Sequence, residues 1–91
     1  MFKQLLKGEK IMTKYNLVKD KLYQKLDYYS EKSRECKDLI EFFTTLGWFI
    51  VESSEVISKS ALQYSDKKKL LFWICEEMNV LYMLYKLNTK N

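Results

Sequence analysis

After Gly8 the chain contains a single glycine, Gly47, and it has no proline at all. Sheet architectures depend on both residues. Tight hairpin turns use the positive φ that glycine tolerates, and interstrand loops use the fixed φ of proline. A chain of 91 residues with so little turn chemistry is expected to fold as helices joined by short polar links, and as one domain.

The apolar spacing agrees. Thr13 is a good N-cap, and Tyr15, Val18, Leu22, Leu26 and Tyr29 follow at three- and four-residue steps, one face of a helix. The polar stretch Ser30–Ser33 weakens this pattern. Cys36, Ile40 and Phe43 continue its phase, so a single long helix through this region is an alternative. A second helix is expected from about Cys36 to Ser60, with Leu39, Phe42, Phe43, Leu46, Phe49, Ile50 and Ile57 on one side. Phe42–Val51 also carries β-forming residues, which makes a strand the weaker alternative. Ser53, Ser54, Ser58 and Ser60 loosen the later half, where a kink or break is expected to fall if it falls anywhere.

The third helix is expected to start after Ser65 as N-cap, with Asp66 in its first turn. Lys67, Lys68 and Lys69 oppose the helix dipole there and need another reason to exist. This helix has two apolar faces. Leu70, Leu71, Ile74, Met78, Leu81, Tyr82 and Tyr85 form one. Trp73, Val80, Leu84 and Leu87, flanked by Phe72 and Met83, form the other. Two further helices cannot cover both faces, so the second is expected to be a seam for self-association, as in a homodimer. The fold class is therefore all-α: a small antiparallel bundle of three main helices, or four if the region Ser53–Ser60 breaks the second.

Residues 1–11 are set apart. Codons AAA-GGA-GAA for Lys7, Gly8 and Glu9 would spell a ribosome-binding site, with about eight nucleotides between its core and the Met12 codon. We read 1–11 as an upstream extension and 12–91 as the domain. The wealth of Lys, Tyr, Asn and Ile points to an AT-rich bacterial or phage genome, as in low-GC Gram-positive hosts.

Charge excludes little but weakens one class. Without Lys3, Lys7, Lys10 and Glu9 the net charge falls from +4 to +2. Basic and acidic residues alternate in blocks along the chain, so no face is uniformly basic as a phosphate-tracking surface would be. Arg34 is the only arginine, poor equipment for base readout. Cys36 and Cys75 lie far apart without metal-type spacing. With no secretory leader pattern before them, free thiols in a cytoplasmic, reducing compartment are expected. No apolar run reaches the ~18–20 residues of a membrane span.

Catalytic chemistry is thin. The chain has no histidine, so the commonest general base and metal ligand is missing. No Gly-rich phosphate loop and no Ser–His or Cys–His arrangement can be built. Glu76 and Glu77 diverge by about 100° on a helix and flank an apolar stripe. No enzyme activity, no metal and no cofactor is expected.

Binding is expected instead, and another protein is the first choice of partner. Trp48 lies nearly opposite the apolar stripe of the second helix, among Glu41, Glu52 and Glu55, a suitable hot spot for a basic partner; packing against the second face of the third helix, beside Trp73, is the alternative. On the first helix Lys14, Lys21, Lys25 and Tyr28, together with Lys67, Lys68 and Lys69, are the residues a nucleic acid would use. The functional expectation is a small, non-catalytic helical protein, an accessory factor of a phage or mobile element that inhibits or modulates a host macromolecule, for example a CRISPR nuclease. A small nucleic-acid-binding regulator and a cytosolic bundle of the bacteriocin-immunity type are the alternatives.

Overall fold

The computed structural model describes residues 13–88. Three helices follow one another: α1 (Lys14–Arg34), α2 (Leu39–Lys59) and α3 (Tyr64–Asn88). No strand occurs among the described residues. The chain is all-α, a helical bundle in which each helix packs against the other two. The reading of residues 1–11 as an extension lies outside the described residues. Among the described residues no helix is long and apolar enough to cross a membrane.

Local chemistry explains the boundaries. Thr13 has an extended backbone, and its Oγ1 accepts the Asn16 N–H at 3.1 Å, which opens α1 as the N-cap expected of it. The long-helix alternative fails at Glu35–Asp38. Asp38 adopts φ −147° and ψ 174°, and its Oδ1 accepts the Glu41 N–H at 2.9 Å. A capping residue leaves the helical region to turn its side chain onto the new helix, so α1 and α2 cannot be one rod. Cys36 therefore lies in the link, with Sγ 3.4 Å from Thr45 Oγ1.

The expected weak region of α2 does not break, and among the described residues there is no fourth helix. Its hydroxyls bond back to the helix rather than compete with it. Thr44 donates to the Ile40 carbonyl at 2.7 Å, Thr45 to Glu41 at 2.9 Å and Ser58 to Glu55 at 3.4 Å. The strand alternative for Phe42–Val51 is likewise overturned. Phe42, Leu46, Phe49, Ser53 and Ile57 are buried together at helical steps. Ser65 is not the cap of α3. The Gln63 carbonyl accepts the Asp66 and Lys67 N–H groups, both at 3.0 Å, so the helix starts before Ser65.

The core has two parts. Leu22, Tyr29, Phe49, Ile57, Leu70 and Ile74 form the larger one, and Phe42, Leu46 and Leu81 the smaller. The start of α2 meets the end of α3, where the Phe42 ring stacks on Tyr85 at 4.3 Å. The end of α2 meets the start of α3, where Lys67 Nζ donates to the Ser58 carbonyl at 3.1 Å. Leu39 and Phe43, expected on the core side of α2, are half exposed. Two neighbouring helices cover an arc narrower than the apolar stripe the sequence offers.

One core position is poorly satisfied. Ser53 is 0% exposed, and its Oγ has no hydrogen-bond partner among the described residues. A buried unpaired hydroxyl carries a desolvation cost, and serine is also a weaker helix former than alanine. Ser53→Ala is expected to stabilise the protein by about 1 kcal/mol and raise its Tm by roughly 4–8 °C. Thermal unfolding followed by circular dichroism checks this, and a lower Tm would show that the hydroxyl has a role.

Candidate functional site

Several outward surfaces remain once the core closes. The first is on α2. Phe49 faces the core, and a step of one residue turns about 100° around the axis, which carries Trp48 outward. Trp48 is 58% exposed. On its side of the helix lie Thr44 and Val51, with Ile40 and Gly47 further round, and Glu41 and Glu55 two turns before and after it. Gly47 is helical with no positive φ, and a Cβ built there would meet nothing within 4 Å. Packing among the described residues gives no reason for a glycine at this position, which costs about 0.5–1 kcal/mol relative to alanine.

The three carboxylates expected around Trp48 are not equivalent. Glu52 turns toward α1, where the Tyr29 hydroxyl donates to it at 2.8 Å and Lys25 Nζ at 3.2 Å. The Tyr29 bond, then the Lys25 bond, hold the Glu52 carboxyl below its ordinary range. Burial, then the bond to Glu52, push the Tyr29 hydroxyl up to about 12. Glu52 therefore ties α1 to α2. Glu41 accepts the Lys37 N–H at 2.8 Å in the cap of α2. Glu55 pairs with Lys59 at 3.4 Å, but both side chains are mostly exposed. Such a pair is weak and exchangeable, so Glu55 is the acid most open to a partner.

The lysines expected to meet nucleic acid also divide. Lys14 and Lys21 are exposed on α1, and Tyr28 is exposed with its ring edge-on to Tyr29 at 4.9 Å. Lys21, Lys25 and Tyr28 share a shallow groove with Glu52 and Val56. Lys25, however, is committed to Glu52. Lys67 completes the C-terminus of α2, where a cation suits the helix dipole. This explains its awkward position at the start of α3. Lys68 lies over the Tyr64 ring at 5.8 Å, and Lys69 is exposed.

The third surface is the outer side of α3. Trp73 does not belong to it in the way the spacing suggests. Its ring meets Tyr23 edge-on at 4.8 Å, and Lys19 Nζ lies 5.1 Å from its centroid, so it packs on α1. Val80, Leu84 and Leu87 stay exposed.

Sequence reasoning missed one feature. Phe43, Leu46, Phe72, Met78 and Tyr82 line an open, mostly apolar groove between α2 and α3, with Glu76 and Asn79 on its α3 wall. Leu39 and Ile40 extend it along α2, and Ile40 is 78% exposed. The available signal was the excess width of the apolar arc at Leu39–Phe43. Both cysteines are free, and among the described residues no group of three or more His, Cys, Asp or Glu is placed to hold a metal ion.

No protein-family model, curated protein or solved structure matches the chain.

Proposed function

We propose that this chain is a non-catalytic binding protein that acts by covering a surface of another protein, with Trp48 as its anchor. The observation that carries this reading is the exposure of Trp48 on the outer face of α2. An exposed indole supplies large contact area at low entropic cost, which is why tryptophan is enriched at binding hot spots. Gly47 keeps that face flat beside the indole, and Glu55 adds an acid that a basic partner residue can use. The broader balance points the same way. Among the described residues more large apolar side chains are exposed than are buried, more than single scattered residues account for.

The arrangement that would present this face is an antiparallel bundle. The pairing of Phe42 with Tyr85 and of Lys67 with Ser58, at opposite ends of α2 and α3, supports it. A host macromolecule, of which a defence nuclease is one example, is the target class that small size and an AT-rich genetic source point to. The nucleic-acid reading is less well supported, because Lys25 and Lys67 are already used inside the chain.

Trp48→Ala is expected to weaken capture of the protein partner by at least ~2 kcal/mol, about thirtyfold, with helicity unchanged. The measurement is affinity purification of wild type and variant from the host, with and without nuclease, followed by titration of the recovered partner. A partner retained equally by both proteins sinks the assignment to Trp48. Recovery that vanishes with nuclease transfers the function to the lysines of α1 and α3.

A further inference from the structure

We propose that the outer face of α3 binds a second copy of this chain, antiparallel, across a two-fold axis near position 81. Val80, Met83, Leu84 and Leu87 are each between 50% and 66% exposed. They fall within an uncharged run, Met78–Tyr85, and the turn that follows it. A soluble helix usually places its charged residues on the side away from the core. Here Val80, Met83, Leu84 and Leu87 make much of that side apolar, with Asn79 and Lys86 at its edge.

Charge selects the occupant and its direction. Glu76 and Glu77 stand at the N-terminal end of the run, and Lys86 stands at its C-terminal end. Neither glutamate makes a hydrogen bond or ion pair with another described residue. Lys86 Nζ lies over the Tyr82 ring at 5.4 Å, with no carboxylate partner among the described residues. A parallel second copy would set like charges side by side. An antiparallel copy sets Glu76 beside Lys86 of the second copy, and the two-fold repeats the pair.

The apolar and charged pairs agree on one axis. The midpoint of Glu76 and Lys86 is position 81, and the midpoint of Val80 and Met83 lies half a residue further on. One alignment therefore packs Val80 against Met83 of the second copy while closing both ion pairs. Such an interface is isologous and closes at two copies.

The area is modest. Val80, Met83, Leu84, Leu87 and, beside them, Phe72 are each between 50% and 66% exposed, a smaller patch than the ~800 Å² per partner of an ordinary specific interface. A weak, reversible dimer follows.

The dimer does not depend on Trp48, so its test is separate from that of the proposed function. Sedimentation of the full chain over roughly 5–500 μM is expected to show conversion from one copy to two. Met83→Glu, at a position outside the core, is expected to weaken association at least tenfold with helicity and Tm unchanged. Glu76→Lys and Lys86→Glu are each expected to weaken it, and the double variant to restore it. A wild-type protein that stays monomeric across the range overturns the proposal. So does a double variant no better associated than the single ones.

Discussion

Phe49→Ala is expected to remove about 3–5 kcal/mol of stability, while Trp48→Ala, one residue earlier, changes it by no more than about 0.5 kcal/mol. Phe49 is fully buried in the larger core, with its ring 5.8 Å from Tyr29 and contributions from all three helices around it. Truncation loses the transfer free energy of the ring and leaves a cavity that three helices must partly collapse to fill. A domain of this size holds only about 5–10 kcal/mol in total, so the variant sits near the edge of unfolding. Trp48 rests on its own helix and is mostly in water, so its loss opens no cavity. Chemical denaturation of the two variants under identical conditions checks the contrast. Equal losses would mean that Trp48 is part of the core, and its assignment as an anchor would fall with it.

Phe42→Ala is expected to cost a similar amount, about 3–4 kcal/mol, but with a different spatial pattern. The smaller core consists of Phe42, Leu46 and Leu81, with Tyr82 and Tyr85 packed around it. The Phe42 ring stacks on Tyr85 at 4.3 Å and lies 6.2 Å from Tyr82. It is therefore the main attachment of the last turns of α3 to α2. Loss of the ring is expected to free those turns before the rest of the molecule opens, because local stability follows local apolar contact. Hydrogen exchange should accelerate most between Leu81 and Asn88 and less at Leu22 and Leu70. Equal acceleration at all these positions would mean that the two cores unfold as one unit.

The site was less legible than the fold. The outward position of Trp48 could be read from helical spacing, because it lies nearly opposite the stripe of Leu39, Phe43, Leu46 and Ile50. Its acidic surroundings could not. Glu41, Glu52 and Glu55 look alike on a helical wheel, yet Glu52 is drawn to α1 by Tyr29 and Lys25, residues more than twenty positions away in sequence. Trp73 shows the reverse case. Its spacing groups it with Val80, Leu84 and Leu87, but α1 supplies Tyr23 and Lys19 to cover it. Lys67 looked misplaced at a helix start until the end of α2 was seen beside it.

By itself, the sequence determined that this protein is helical and where its helices lie to within a few residues. Periodicity, Thr13 and the lack of proline are local properties, and local hydrogen bonds and dihedral preferences act on them directly. Only the tertiary structure decided that Asp38 interrupts the first long pattern and that the serines of α2 do not break it. It alone also decided which part of each wide apolar stripe is covered. Two neighbouring helices hide a fixed arc of a third, and the position of that arc depends on contacts between residues far apart in the chain. The exposed remainder, on α2 around Trp48 and on α3 around Met83, is the surface on which the proposed activities rest.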